Sequence, residues 1–192
     1  GELTYPTEGN VHLERGTLAL WARIPDQYPE NTTDRHYLWA TSAHADGEPY
    51  TNTLALRRES ADGAAYWNFW SVDQDGTSHD LRVEDALEPG SWHHFAVVWD
   101  QRTSQKALYI DGELAAEAGD VTMPSQLGER LHLGRFTTGY GASSAQLDEF
   151  ASWRRVLSPR EVAHLAEQQD PYTRTTGPVA TARAVTGRTV LF

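Results

Sequence analysis

Aromatic and polar side chains alternate along several predicted strands, a combination suited to binding sugars. Seven Trp and eight Tyr occur in 192 residues, and aromatic faces stack on the apolar faces of sugar rings while polar neighbours bond the hydroxyls. In Gly16–Ile24, the period of two directs Leu18 and Leu20 to a core and Trp21 with Arg23 away from it. We therefore expect Trp21 and Arg23 to belong to a ligand-binding surface.

The same alternation selects candidates on a second strand. In Ala65–Trp70, Trp67 and Phe69 share the core side, which leaves Asn68 and Trp70 on the outer side. A one-residue error in register would exchange the two faces, so the alternative is that some of these rings fill the core. The complete predicted ligand-binding set is Trp21, Arg23, Trp39, Asn68, Trp70, His94 and Tyr140.

The other members of this set come from separate segments. Trp39 faces outward if the adjacent Leu38 faces the core. His94 takes the opposite side of its strand from Phe95, and Tyr140 belongs to a Gly-rich loop. These positions extend the predicted binding surface beyond the first strand.

Catalytic patterns are weak. Glycoside hydrolysis needs two carboxylates about 5 to 10 Å apart across the sugar bond, but the adjacent pairs Asp148-Glu149 and Glu84-Asp85 point to opposite faces of a strand. No nucleophile elbow or phosphate-binding glycine loop is present. The sequence favours a protein that is not an enzyme; a hydrolase or lyase whose carboxylates meet only in three dimensions is an alternative.

Composition narrows the function classes further. The chain contains no Cys, which excludes disulfides and zinc–thiolate sites, and its net charge of −11 argues against nucleic acid as a partner. No apolar run is long enough for membrane insertion. The adjacent His93 and His94 point to opposite faces of a strand and cannot share a metal ion.

Many short strands separated by turns predict an all-β fold. The strand around Phe95 and a second strand at Ala107–Ile110 form an antiparallel meander, which turns back at Asp111-Gly112. Ser158 with Glu161 forms a capping box for one short helix near the C-terminus. We predict a two-sheet antiparallel β-sandwich over residues 1–170, with residues 171–192 either a linker or a tail packed on the sandwich.

Ordered motifs along the chain resemble a known family. The similarity covers roughly Gly9 to Gln168, and the motifs resemble laminin-G-like jelly-roll domains of the concanavalin A-like lectin/glucanase superfamily. In order, the motifs are Gly16-Thr17-Leu18-Ala19-Leu20-Trp21, Trp92-His93-His94-Phe95-Ala96-Val97-Val98-Trp99-Asp100, Leu108-Tyr109-Ile110-Asp111-Gly112, Leu133-Gly134-Arg135, Leu147-Asp148-Glu149-Phe150 and Arg155-Val156-Leu157-Ser158-Pro159-Arg160-Glu161-Val162.

This resemblance implies a fold of two antiparallel sheets and a structural calcium ion. In relatives the Asp of the Leu-Asp-Glu motif holds the ion, which corresponds to Asp148 here, with carbonyls near the domain start, here around Glu8 to Asn10. The predicted metal ligands are therefore Asp148 and Asn10. Alternatively, Asp148 caps a turn or pairs with Arg154 or Arg155.

The resemblance also implies a role. Such domains in bacteria are commonly accessory modules of secreted or cell-surface carbohydrate-active proteins, where they bind sugar and lie beside other domains of the same polypeptide. We therefore expect a non-catalytic, lectin-like module whose partner is an oligo- or polysaccharide. A structural or protein-interaction module without glycan binding is the main alternative.

Overall fold

The computed structural model is a two-layer β-sandwich and describes residues 3–25, 35–43, 50–136, 141–168 and 188–190. The elements are β1 (Leu3–Pro6), β2 (Arg15–Arg23), β3 (Arg35–Ser42), β4 (Thr53–Ala61), β5 (Ala64–Val72), β6 (Ser78–Glu84), β7 (Trp92–Asp100), β8 (Gln105–Ile110), β9 (Glu113–Ala118), β10 (Arg130–Leu133), β11 (Gln146–Trp153), α1 (Pro159–Gln168) and β12 (Arg188–Val190). The predicted all-β jelly roll, with a short helix late in the chain, is confirmed.

The strands form two antiparallel sheets. Sheet I has the order β1-β10-β3-β4-β5-β6, and sheet II has the order β12-β11-β2-β7-β8-β9. The late strand β12 pairs with β11 at the edge of sheet II. The division of the chain at residue 170 stays a prediction.

The predicted meander is confirmed as β7, β8 and β9 of sheet II. Asp111 and Gly112 have φ angles of 51° and 83°, the left-handed conformations that a two-residue hairpin turn needs. The turn folds β9 back along β8, with Ile110 opposite Glu113.

The core lies between the two sheets and follows the predicted alternation. Leu18 and Leu20 of β2 face Trp67 and Phe69 of β5 within one buried cluster, so both strands have the expected inward faces. The ring centroids of Trp67 in sheet I and Phe95 in sheet II are 4.6 Å apart. Aromatic rings therefore join the layers directly.

A buried lysine also joins the two sheets. Lys106 of β8 is 2% exposed, and its Nζ donates to the carbonyls of Phe69 and His79 and to Ser71 Oγ at 2.9, 2.5 and 3.0 Å. Burial lowers the pKa of Lys106 to about 7, while the carboxylate of Asp80 opposes the shift. Three acceptors on sheet I therefore satisfy the hydrogen-bonding capacity of an amine from sheet II.

Helix α1 covers part of the outer face of sheet II. Its N-terminus has the predicted capping box: Ser158 N and Oγ both donate to Glu161 Oε2 at 2.8 Å. Val162 packs in a second apolar cluster with Ala96 and Tyr109 from the sheet. The helix therefore forms one wall above the outward-facing residues of β7 and β8.

Candidate functional site

Strand register gathers several predicted binding residues on the outer face of sheet II. Trp21 and Arg23 are two residues apart on β2, which places them on the same face and about 6.6 Å apart. His94 lies directly across from Trp21 on β7. Across β11, β2 and β7, the two rows of paired residues are Asp148–Trp21–His94 and Gln146–Arg23–Trp92.

A cleft of about 470 Å³ opens beside these rows. We call it the β2–β7 cleft; it is lined by Trp21, Gly90, Ser91, Trp92, His93, Asp111, Ala166 and Glu167. Strands supply its aromatic floor, the β8–β9 turn supplies Asp111, and the last turn of α1 supplies Ala166 and Glu167. An aromatic floor with polar groups at the rim is the usual composition of a small-molecule site.

Four buried polar atoms in or behind the lining of the cleft have no hydrogen-bond partner among the described residues. They are Trp21 Nε1, His93 Nε2 and both ring nitrogens of His94. The rings of Trp21 and His94 meet edge-on, with centroids 5.5 Å apart and planes at 63°. Since nearly all buried polar groups in proteins are paired, these atoms lack bonds that an ordered water molecule or another polar group would supply.

Burial sets the charge of His94. It lowers the pKa of His94 to about 4, although the carboxylate of Asp111 opposes the shift. The ring is therefore neutral at pH 7 and has one donor and one acceptor nitrogen. His94 is 0% exposed and is not part of the cleft lining; with Trp21 Nε1, whose ring lines the cleft, it provides two donors and one acceptor behind the cleft surface.

His93 and Asp111 form an ion pair at the rim of the cleft. His93 Nδ1 lies 2.7 Å from Asp111 Oδ2, and the backbone N–H of His94 donates to Asp111 Oδ1 at 2.8 Å. The hydrogen bond with Asp111 raises the pKa of His93, and burial works against it. Burial also works against the pKa shift of Asp111, but the bonds from His93 and His94 hold that pKa below its usual range. The pair fixes the β8–β9 turn against β7.

The predicted residues Asn68 and Trp70 lie on the other outer face, that of sheet I. Asn68 is fully buried, and its Nδ2 donates to Glu59 Oε1 at 2.8 Å and to Asp80 Oδ1 at 2.5 Å. Trp70 is 5% exposed, its Nε1 donates to Ser78 Oγ, and the Arg57 guanidinium stacks 3.9 Å from its ring centroid. Both side chains are engaged within the protein.

Glu59 is the centre of this polar network. Its carboxylate is 2.6 Å from Arg57 Nη2 and 2.6 Å from Arg82 Nε, besides accepting from Asn68. Arg57 also donates to the Tyr37 hydroxyl at 3.1 Å. The outer face of sheet I thus carries a buried network whose charges are paired with one another.

The outward orientation expected for Trp39 is wrong. Trp39 is 0% exposed and packs in the core with Leu38, its neighbour in sequence. The register between β3 and β4 shifts between Tyr37 and Trp39, and such a bulge puts two successive side chains on one face. Tyr140 lies outside the described residues.

The structure does not bring Asp148 and Asn10 together. Asp148 lies opposite Trp21 and accepts a hydrogen bond from the backbone N–H of Glu149 at 2.8 Å. Asn10 Nδ2 donates to the Pro6 carbonyl, and its neighbours Gly9 and Val11 line a cleft with Arg154, beyond the other end of β11. The predicted pair therefore does not fit a shared calcium ion.

The described residues contain no group of three or more His, Asp or Glu side chains placed to hold a metal ion. No helix in the described part of the chain is long and apolar enough to cross a membrane.

The sequence interpretation missed Trp92, Asp111 and Glu167. Trp92 could have been found, because it lies two residues before His94 and so shares its face of β7. Asp111 was interpreted only as a turn residue, although its carboxylate also reaches His93. The position of Glu167 depends on how α1 packs on the sheet, which the sequence pattern does not determine.

Comparison with family models gives a match over most of the chain. The matching model is described as the concanavalin A-like lectin/glucanases superfamily, and it covers residues 2–163. Neuronal pentraxin-2 of Cavia porcellus is 24% identical over 185 residues, which are 81% of this chain and 43% of that protein. The chain thus spans less than half the length of this curated relative.

Solved structures share the sandwich. The heptameric SAP-like pentraxin of Limulus polyphemus has a TM-score of 0.61 and 15% identity, over 93% of this chain and 82% of that chain. The CBM40 of the Ruminococcus gnavus IT-sialidase, bound to α2,3-sialyllactose, has a TM-score of 0.60 and 18% identity, over 80% and 83% of the two chains. At these identities the similarity shows the fold.

Proposed function

The chain belongs to the concanavalin A-like lectin/glucanases superfamily, and we propose that it is a non-catalytic, lectin-like module that binds carbohydrate in the β2–β7 cleft. The ligand is an oligo- or polysaccharide, and the module serves a larger secreted or cell-surface protein. The CBM40 with bound sialyllactose, a structural neighbour, supports carbohydrate as the ligand class. The activity of the parent protein is a separate question, since the chain spans less than half of neuronal pentraxin-2.

One observation carries the proposal: unpaired polar atoms lie beside an open aromatic cleft. Trp21 Nε1 and the two nitrogens of His94 are buried without a partner in the described part of the chain. Such groups cost about 1 to 3 kcal/mol each when they are left unpaired. A sugar hydroxyl or an ordered water molecule restores these bonds, while Trp21 and Trp92 offer apolar surface to the ring.

The arrangement suits binding better than hydrolysis. Asp111, the carboxylate at the centre of the cleft rim, is paired with His93 and accepts a second bond from a backbone N–H. These bonds lower its pKa against the effect of burial, so it is ionised at neutral pH and unsuited to act as a general acid. We therefore propose that the carboxylate of Asp111 accepts hydrogen bonds from ligand hydroxyls.

The test compares matched aromatic variants on a glycan array, in calcium-containing buffer and in EDTA. Trp92 is half-buried in the cleft, and Tyr66 is a half-buried aromatic residue on the outer face of sheet I. We expect Trp92→Ala to reduce glycan binding by about tenfold or more, and Tyr66→Ala to leave it unchanged.

Other outcomes would redirect the assignment. Loss of binding on Tyr66→Ala alone would move the site to sheet I. Folded wild-type protein that binds no glycan would overturn the proposal and favour a structural or protein-interaction role. Release of product from a bound oligosaccharide would show a hydrolase or lyase, and loss of binding in EDTA would require a metal ion that the pair Asp148 and Asn10 does not explain.

A further inference from the structure

The guanidinium of Arg23 has no role in the binding site proposed above. It lies at the end of β2, partly exposed, and its Nε donates to the Gly90 carbonyl at 2.8 Å. No carboxylate of the described residues lies within 4 Å of it, and its two amino groups have no hydrogen-bond partner there. One bond therefore holds the guanidinium in place and leaves its paired donors available.

This state sets Arg23 apart from the arginines that are paired with carboxylates. Ion pairs within 4 Å engage Arg35, Arg57, Arg58, Arg82, Arg102 and Arg155. In a protein with a net charge of −11, the guanidinium of Arg23 is held without a carboxylate partner among the described residues. Two parallel N–H groups match the geometry of a carboxylate, which arginine binds in a bidentate way.

A second, smaller cleft surrounds Arg23. It has a volume of about 230 Å³ and is lined by Arg23, Ile24, Pro25, Gly90, Ser144 and Gln146. None of these residues is acidic, so Arg23 supplies the only formal charge among the described residues of this lining. Ser144 and Gln146 add uncharged hydrogen-bonding groups beside the guanidinium.

The two clefts adjoin at Gly90, which lines both, and they differ in charge; we refer to them together as the groove. The β2–β7 cleft is lined by the carboxylates of Asp111 and Glu167, whereas the smaller cleft is lined by the guanidinium of Arg23. Asp148 of β11 lies directly opposite Trp21 of β2, on the row nearer the acidic end. Because Trp21 and Arg23 are about 6.6 Å apart along β2, a ligand of two linked sugar rings spans both clefts.

We propose that Arg23 binds the carboxylate of an acidic sugar whose neighbouring ring occupies the β2–β7 cleft. This inference rests on the proposed function and names the ligand class of the same site. The acidic end of the groove repels the carboxylate, so the ligand binds in one direction, with its acid group at Ser144 and Gln146. A uronic acid and a sialic acid supply the same carboxylate chemistry.

The test is calorimetric titration with two ligands, a uronic-acid oligosaccharide and a sialyl oligosaccharide, each also as its methyl ester. We expect at least one acid to bind, and its ester to bind about 10- to 100-fold more weakly, as expected for the loss of a charge-assisted hydrogen-bonded pair. Arg23→Gln should weaken binding of the acid to the level of the ester. The affinity of Arg23→Lys for the acid should lie between those of the wild type and Arg23→Gln, because lysine retains the charge without the two parallel N–H donors of a guanidinium.

The control variant is Arg15→Gln, an exposed arginine at the opposite end of the same strand, and it should bind like the wild type. Equal binding of acid and ester, or undiminished binding by a folded Arg23→Gln, overturns the inference. If neutral glycans bind in a way that depends on Trp92 but not on Arg23, the proposed function holds and the acidic specificity fails. If no ligand binds, both fail.

Discussion

On the outer face of sheet I, the carboxylate of Glu59 is shared by Arg57, Arg82 and Asn68, whereas on the outer face of sheet II three buried polar atoms of Trp21 and His94 have no partner within the described ranges. Both faces combine tryptophan with buried polar groups. Paired polar groups fix one packing arrangement, while unpaired groups reduce stability and provide contacts for a ligand. Arg57 Nε on sheet I is also buried without a partner in the described part of the chain, so the two faces differ in degree. More buried polar atoms are unpaired on sheet II, which is where we propose the binding site.

The largest expected effect follows from breaking the polar network around Glu59 on sheet I. Glu59→Ala removes the carboxylate that faces buried Arg57, and breaking such a buried pair destabilises the fold by about 3 to 5 kcal/mol. Urea unfolding measures the loss. Glu84→Ala, an exposed carboxylate on the neighbouring strand β6, is the control and should change little. An equally stable Glu59→Ala protein would show that this network is not structural.

As the pH falls, groups on sheet II should lose their contribution to the stability of the fold at a higher pH than groups on sheet I. Burial lowers the pKa of His94 from its ordinary 6.5 to about 4 in the folded protein, so its contribution to stability is complete above pH 6.5 and is lost as the pH falls towards 4. The difference corresponds to about 3 kcal/mol. His94→Phe keeps the ring against Trp21 and should remove this part of the pH dependence of unfolding.

Two other ionisable groups, His93 and Asp80, should lose their contributions to stability in different pH ranges from His94. The raised pKa of His93 acts in the opposite sense, since its contribution is complete below pH 6.5 and is lost as the pH rises through its folded pKa. On sheet I, burial works to raise the pKa of Asp80, but bonds from Asn68 and Arg82 lower it, so its contribution is lost only below about pH 3.8. Identical pH profiles for wild type and His94→Phe would contradict the assignment.

A smaller effect tests the wall that α1 gives to the cleft. A Cβ at Gly112 would lie 3.0 Å from Ala163 Cα, and Gly112 has a φ of 83° that other residues adopt with strain. Gly112→Ala should destabilise the protein by about 1 to 3 kcal/mol and weaken glycan binding, because the turn that carries Asp111 must shift. Chemical unfolding and titration measure both. Gly63→Ala, in a turn with a φ of 81° and open space around it, should share the strain and leave binding intact.

The smallest expected effect is at the helix cap. Ser158→Ala removes the hydroxyl bonded to Glu161 and should destabilise the protein by about 1 kcal/mol. Since α1 lines only the cleft of sheet II, any change in glycan affinity on this substitution would show that the helix wall is mechanically coupled to the site. Thermal unfolding and titration of the same variant separate the two effects.

The sequence predicted which face of a strand a side chain occupies better than it predicted that side chain's partners on other strands. Alternation placed Trp21 and Arg23 outward correctly, because the period of a regular strand is two. The bulge near Trp39 interrupts that period, and nothing in the residues around it reveals this. The pairing of Glu59 with Arg82 across β4, β5 and β6 depends on sheet register, which a single strand pattern does not contain.

The same reasoning explains the failure of the expected calcium pair. The Leu-Asp-Glu motif located Asp148 on β11 correctly, but its partner was assigned by resemblance to a segment of the chain around Asn10. Register puts Asp148 opposite Trp21, beside the aromatic groups of the cleft and away from that segment. Motif order therefore predicted the fold, whereas the candidate site depends on the pairing of strands, which the motifs do not contain.

The rate at which Lys106 is chemically labelled reports how often the two sheets of the sandwich separate. The amine of Lys106 is 2% exposed and all three of its hydrogen-bond acceptors belong to the opposite sheet. An acylating reagent reaches the nitrogen only after the two sheets part, so the labelling rate of this one lysine follows the frequency of that opening. A ligand bound on the outer face of sheet II that tightens the whole sandwich will slow this labelling, whereas a ligand that tightens only its own cleft will leave the rate unchanged.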